Sequence, residues 1–261
     1  MTIDKKTGYE YLSGINPIFS LVTKNAGKRK IYEIILNRKR KKRPKIQNII
    51  TIAQNKNINI TELEPDSFNG LSSENVNSQG ICARVSPYNY GDLEQYLSKE
   101  TCGKGRLVIL DGVTDVGNFG SIIRNCNAFD FEGIIIPKRR SASINEKVSS
   151  ISAGALEEIK VFRVVNIVRV IKELKNKGFW IYGTTLDMTL DVKSLDEVSF
   201  TLPLAIVLGS EDRGISRLAG VNCDIMISIR LSGSIQSLNV SVASGIILYR
   251  IQEQIERKDK Y

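Results

Sequence analysis

The chain has no histidine among its 261 residues. That absence excludes Ser-His-Asp and Cys-His nucleophilic catalysis, histidine-ligated zinc deaminases and HExxH metallohydrolases together. Chemistry must therefore run on carboxylates, amides, hydroxyls, arginine or lysine, or on a cofactor. Cysteine is also scarce. The four residues, Cys82, Cys102, Cys126 and Cys223, lie far apart without a CxxC pair, which argues for reduced, mostly buried thiols rather than a disulfide framework or zinc ribbon. No run of 18 apolar residues exists, and Met1–Lys6 leads into a polar stretch, so a soluble cytoplasmic protein without a membrane partner is expected. Neither GxGxxG nor GxxxxGK[ST] occurs, which weakens nicotinamide and P-loop readings.

What the chain does have is positive charge. Its formal net charge of +9 points to an anionic partner, nucleic acid or an acidic membrane surface. Six consecutive cations, Arg38, Lys39, Arg40, Lys41, Lys42 and Arg43, are closed by Pro44. They read as a solvated charged loop, as a nuclear address in a nucleated cell, or as an RNA-binding, phosphate-contacting patch.

Apolar spacing divides the chain into two grammars. Up to about residue 90 a polar leader (Met1–Gly14) precedes helix-spaced Ile18, Leu21 and Val22. A strand at Tyr32–Leu36, a helix at Ile46–Asn55 and strands at Ile58–Leu63 and Gln79–Val85 then suggest a small α/β domain. Residues 91–105, within the glycine-bearing stretch Tyr88–Gly105, read as the connection, with one helical turn at Leu93–Leu97. From 106 to 261, apolar strands (Leu107–Leu110, Ile134–Ile136, Phe179–Thr184, Leu204–Leu208, Ile225–Ile229) alternate with helices (Asn118–Phe129, Ile167–Lys177, Leu238–Glu256). Continuous apolar strands between helices imply a parallel sheet covered on both faces, which collects ligands at its carboxyl edge.

Three loops reach that edge. The first, Asp111–Gly120, has late glycines and Asn118 at a helix start, with Arg124 further along the helix. The second, Leu208–Gly214, holds Glu211 at a strand end beside two glycines. The third, Ile229–Asn239, runs into the final helix through Ser237, Leu238 and Asn239. Taken alone, Asn118, Ser237 and Asn239 could be ordinary helix caps, Arg124 a surface cation and Glu211 a cap.

Together, D-x-x-N-x-G followed by Arg124, G-x-E-x-x-G, and S-L-N-V-S before the last helix resemble the three motifs of the SpoU (TrmH) family of RNA 2′-O-ribose methyltransferases. The likeness spans Arg106 to Arg250 and includes Pro137-Lys138-Arg139-Arg140-Ser141-Ala142, Ala153–Glu157 and Trp180–Thr184. Tyr11–Val22 and Ser78–Ile81 resemble the small, ribosomal-protein-like substrate-binding domain that precedes the catalytic domain in bacterial enzymes acting on a guanosine of 23S ribosomal RNA. Three positions depart from the family's pattern: Val116 stands where proline is usual, Ile229-Arg230-Leu231 replaces an Ile-Pro-Met run, and Ser78 stands for a frequent histidine.

The resemblance implies a SPOUT-type parallel-sheet methyltransferase domain with a C-terminal trefoil knot, working as a homodimer with S-adenosylmethionine as cofactor and no metal. An apolar face of the final helix (Ile246, Ile247, Ile251, Ile255) is compatible with a dimer seam. By carry-over, Gly183, Thr184, Gly209, Ile229 and Leu238 would hold the cofactor. Arg124 would lie by the ribose hydroxyl and its phosphate, Asn118 and Glu211 would fix Arg124 and the loops, and Ser237 and Asn239 would complete the site. A guanidinium does not give up its proton in proteins, so Arg124 suits positioning better than general base work. The alternatives are a tRNA methyltransferase and a non-catalytic RNA-binding assembly factor.

Overall fold

Apolar runs bounded by charged turns build two separate sheets. The computed structural model describes residues 8–71, 77–98, 105–185, 191–210 and 213–258. The chain divides into two compact units, Met1–Asn89 with Ser143–Glu158, and Tyr90–Ala142 with Ile159–Tyr261. The break expected at 91–105 thus begins near Tyr90. Ser143–Glu158, expected in the second domain, groups with the first unit.

The first unit contains β1 (Glu10–Ser13), α1 (Ile15–Thr23), β2 (Ile31–Asn37), α2 (Pro44–Asn55), β3 (Ile60–Leu63), α3 (Pro65–Asn69) and β4 (Ile81–Val85). Its strands run in the order β1-β4-β2-β3, with only the β2–β3 pair parallel. The expected polar leader in fact contributes β1, whose Leu12 is buried with Ile18, Ile34, Ile49 and Ala83. Proline at the first helical position starts α2, where a missing N–H costs nothing.

In the second unit, α4 (Leu93–Leu97) is followed by β5 (Arg106–Asp111), α5 (Val116–Ala128) and β6 (Gly133–Pro137). After α6 (Glu146–Ile151), which belongs to the first unit, come β7 (Lys160–Val164), α7 (Ile167–Asn176), β8 (Trp180–Thr184) and β9 (Val192–Ser194). β10 (Leu204–Gly209), α8 (Arg217–Gly220), β11 (Ile225–Ser228) and α9 (Val240–Lys258) complete it. The strand order is β7-β6-β5-β10-β8-β11-β9, every pair parallel. Alternation sends Leu107 and Ile109 toward Ile167, Ile171 and Leu174 of α7, and Val108 and Leu110 to the opposite face. α5 and α9 pack against each other there.

Two expectations need correction. α5 begins at Val116 rather than Asn118, because Asp115 caps it by accepting from the Asn118 backbone N–H at 2.7 Å. The expected apolar face of α9 is exposed only in part: Ile246 is exposed, Ile247 and Ile251 are buried, and the exposed large apolar residues Val242, Ile246 and Tyr249 lie along one stripe. Among the described residues no helix is long and apolar enough to cross a membrane.

Candidate active site

Parallel register places Asp111 beside Gly209, and Thr184 beside Ile227, at one edge of the second sheet. The loops after β5, β8, β10 and β11 therefore all leave from that edge. A cleft opens there among the segments that follow β8, β10 and β11 and the start of α9. Of the residues expected to hold a cofactor, Thr184, Gly209, Ile229 and Leu238 line it, and so does Ser237. Gly183 does not line it. A Cβ there would lie 2.7 Å from Cys223 Sγ and 2.8 Å from Met226 Sδ, so the position is set by packing.

Gly209 is fixed by a closer approach. An added Cβ would fall 2.0 Å from the Gly214 carbonyl carbon and 2.2 Å from its oxygen. Ser210 and Gly214 exchange both backbone hydrogen bonds, at 3.1 and 2.9 Å, and Gly214 adopts φ 62°. The backbone at the end of β10 is thereby folded tightly back beside the cleft. Glu211, between these residues in sequence, lies outside the described residues, as does Cys102. Asp111 Oδ2 accepts from Ser216 N–H at 2.7 Å and ties the following segment to β5.

The start of α9 joins this edge to α5. Asn239 Oδ1 accepts from the backbone N–H groups of Ser241 (2.9 Å) and Val242 (3.4 Å), which makes it the N-cap. Its Nδ2 donates to Asn118 Oδ1 at 2.9 Å. Two turns along α5, Asn125 Nδ2 donates to Ser241 O and to the fully buried Ser244 Oγ, each at 2.8 Å. Gly245 admits this closeness, since a Cβ there would already sit 3.4 Å from Asn125 Nδ2. Asn118 and Asn239 are thus brought together, with Ser237 on the adjoining cleft wall. Arg124 is exposed on the same helix as Asn118 and has no ion-pair partner among the described residues.

Sequence reasoning assigned no role to Asp115 and Ser241, although both stand inside the motifs, and it did not single out Asn125 or Ser244. Asn125 carries a detectable signal: an amide on the apolar side of a helix needs a polar partner, and Ser241 and Ser244 sit one turn apart on the next helix to supply it.

Both departures in the motifs have local explanations. Val116 is the first helical residue, where proline is favoured but not required. Arg230 forms ion pairs with Glu197 at 2.5 Å and Asp196 at 3.8 Å, so its charge anchors the segment ahead of Leu231.

Among the described residues the thiols offer no nucleophile. Burial, reinforced by the Asp224 carboxylate, pushes Cys223 up to about 12, and burial with Glu146 and Glu33 does the same for Cys82. The fully buried Cys126 is raised further by desolvation.

In the first unit the basic run forms the turn between β2 and α2. Its six cations are not equivalent. Arg38 pairs with Glu64 and lies 3.9 Å from Glu62, and Lys41 pairs with Glu62 at 2.9 Å. Arg43 Nη1 donates to Gln79 O at 3.4 Å, and the Arg40 stem covers Gly80. Lys39 and Lys42 are exposed with no ion-pair partner among the described residues.

Comparison with known proteins gives two family matches. Residues 105–249 match the SpoU rRNA Methylase family, and residues 11–91 match the RNA 2′-O ribose methyltransferase substrate binding family. A Staphylococcus aureus protein assigned to the TrmH family of tRNA/rRNA methyltransferases is 38% identical over 212 residues, 80% of this chain and 84% of its own. The SpoU methyltransferase AviRb of Streptomyces viridochromogenes, solved with AdoMet, superposes with a TM-score of 0.76 at 23% identity, covering 96% and 92% of the two chains. The A. aeolicus TrmH/SpoU tRNA modifying enzyme gives a TM-score of 0.55 at 35% identity, over 64% of this chain and 86% of its own.

Proposed function

Because the chain belongs to the SpoU (TrmH) family of RNA methyltransferases, we propose that it methylates a ribose 2′-hydroxyl of RNA with S-adenosylmethionine, on a guanosine of 23S ribosomal RNA in the bacterial cytoplasm. The observation that carries this reading is the Asn118–Asn239 hydrogen bond, which joins two of the three motifs beside a cleft bordered by the third.

The residues present fit the cofactor. Ile229, Leu238 and Ile247 give the cleft apolar walls for an adenine ring, and Gly209 and Gly214 bring backbone rather than side chains to its edge. When bound, S-adenosylmethionine supplies an electrophilic methyl group on its sulfonium. The protein's part is to orient the weakly nucleophilic 2′-hydroxyl and help its proton leave; orientation alone can contribute about 7–11 kcal/mol. Arg124 holds the hydroxyl and adjoining phosphate through its planar fork. Asn118 and Asn239 lock the helix that carries Arg124 against the start of α9. Ser237 lies at the cleft wall, and Glu211 steadies Arg124.

The first unit, with the cations from Arg38 to Arg43, binds the RNA. A homodimer forms through the stripe of Val242, Ile246 and Tyr249 on α9, whose exposure supports an interface. The trefoil knot belongs to the same proposal, supported by the position of Ile229–Asn239, which borders the cleft on its way from β11 to α9.

One observation favours a second reading, a tRNA substrate: the 35% identity to the A. aeolicus tRNA modifying enzyme over 64% of this chain. The substrate-binding match over residues 11–91 and the likeness of the front segment to the ribosomal type weigh toward ribosomal RNA. The test is methyl transfer from tritiated S-adenosylmethionine to unmodified transcripts of 23S ribosomal RNA and tRNA, with 2′-O-methyl mapping. Label at a 23S guanosine ribose is expected. Label in tRNA alone would establish the second reading, and cofactor binding without label a non-catalytic role. No label with no cofactor binding would overturn the proposal.

A further inference from the structure

We propose that the turn Lys138-Arg139-Arg140, after β6, grips the phosphodiester backbone of the RNA strand beside the ribose being methylated. This rests on the function proposed above and assigns part of its substrate contact. The turn is built rather than loose. Ser141 Oγ donates to Pro137 O at 2.6 Å, the Lys138 N–H to Val164 O at 2.8 Å, and Arg163 Nη2 to Lys138 O at 3.4 Å. The Ala142 N–H donates to Val113 O at 3.0 Å, which fastens the turn to the loop leading into α5.

Arg140 is held at φ 57°, a conformation that L side chains with a Cβ avoid, where glycine would be the ordinary choice. The retained side chain is exposed, as are those of Lys138 and Arg139. None of the three has a carboxylate within ion-pair distance among the described residues. Asp115, the acid of the adjoining loop, is engaged by the Asn118 N–H. Arg38 and Lys41 of the longer basic run, by contrast, are already neutralised by Glu62 and Glu64.

Position completes the case. In the order β6-β5-β10-β8 the cleft lies on one side of β5 and this turn on the other, with Asn118 and Arg124 on the helix that follows β5. Two strand spacings separate the ends of β6 and β10, about 9.5 Å, within the reach of lysine and arginine side chains. A ribose presented to the cleft at α5 must send its flanking phosphates away from the methyl donor, across these cations. Three uncompensated charges on a fixed turn match a phosphodiester chain and read no base.

The test compares Lys138→Gln/Arg139→Gln/Arg140→Gln with wild type. Anisotropy of a fluorescein-labelled single-stranded RNA 20-mer gives the salt dependence of binding, methyl transfer to the 23S transcript gives KM, and calorimetry gives the S-adenosylmethionine Kd. The slope of log affinity against log salt should shrink by about 2, at roughly 0.7 per contact, and KM should rise about tenfold with the cofactor Kd unchanged. Arg140→Gly should keep or raise the thermal midpoint while weakening RNA binding, which a purely structural arginine would not do. A triple variant with wild-type slope and KM, or an Arg140→Gly protein that melts earlier yet binds RNA normally, overturns the inference. A wild type that neither binds cofactor nor methylates RNA overturns the proposed function instead, and the anisotropy slopes still decide this one.

Discussion

Asn239 donates its side-chain amide to the side-chain oxygen of Asn118 at 2.9 Å across 121 positions of sequence, while its own oxygen caps α9. One side chain therefore sets the start of the last helix and fastens it to the helix bearing Arg124. The same two helices are pinned again by Asn125, through Ser241 O and Ser244 Oγ. A pair held at two points presents its side chains in one geometry, the condition for positioning a weak nucleophile.

Removing that amide should separate stability from activity. Asn239→Ala loses the cap and should cost about 1 kcal/mol by urea unfolding, whereas Asn239→Asp keeps an acceptor for Ser241 and should unfold near the wild-type midpoint. Both lose the donor to Asn118, and both should lose methyl transfer by more than about tenfold. Full activity in Asn239→Asp would show that the link to Asn118 is dispensable.

Gly209→Ala tests the fold at the end of β10. Its Cβ would fall 2.0 Å from the Gly214 carbonyl carbon, a backbone atom that cannot swing aside. The substitution should destabilise by about 3 kcal/mol and weaken S-adenosylmethionine binding, measured by calorimetry below the melting range. Gly178→Ala serves as a control: φ 84° strains it, but nothing lies within 4 Å of the added Cβ, so only stability should fall.

The basic turn between β2 and α2 should respond unevenly to neutralisation. Lys39→Gln/Lys42→Gln removes charges with no ion-pair partner among the described residues and should reduce the salt slope of RNA binding by about one unit. Arg38→Gln/Lys41→Gln frees Glu62 and Glu64 as well and should change net charge equally. Anisotropy titrations showing equal losses from both pairs would mean that the ion pairs open when RNA binds.

This unevenness marks the limit of what the sequence shows. Six adjacent cations are visible at once, but their compensation by Glu62 and Glu64 arises only because β3 lies parallel to β2. The central strands are legible because runs such as Leu107–Leu110 and Leu204–Leu208 are apolar without interruption, as a sheet buried on both faces demands. β7 is not, since Lys160 and Arg163 interrupt its apolar pattern, and β9 spans only Val192–Ser194. At the site, motif order indicates that Asn118 and Asn239 meet. It does not choose between Asp115 and Asn118 as the cap, because either side chain could serve and only the backbone angle decides. Nor can chain order show that Ser143–Glu158 packs into the first unit.

Within that unit, Glu157 provides a pH test. It is almost wholly buried, 3.4 Å from Arg29 Nε, yet burial outweighs Arg29 and the nearby Glu10 adds to it, so its carboxyl is raised above the ordinary 4.5. A raised acid contributes stability that is complete below its unfolded value and is lost as pH climbs through the folded one. Glu157→Gln, which mimics the protonated form, should therefore gain on wild type in urea midpoint as pH rises from about 4.5, then level off. A variant that instead loses ground with rising pH would show that Arg29 attraction dominates.

Arg124 separates positioning from proton abstraction. It is exposed on α5 without an ion-pair partner among the described residues, which leaves its fork available to a phosphate and a ribose hydroxyl. Lysine keeps the charge but cannot present two parallel donors. Arg124→Lys should bind S-adenosylmethionine as wild type does and lower kcat by at least about tenfold, equivalent to about 1.4 kcal/mol of transition-state stabilisation. The shape of the pH–rate profile should not change. If the arginine removed the proton itself, lysine, with its lower intrinsic pKa, would move the rising limb of that profile to lower pH. A profile displaced in that way with kcat recovered at high pH would assign Arg124 to proton transfer, and near-wild-type turnover at every pH would show that neither the fork nor the base is needed.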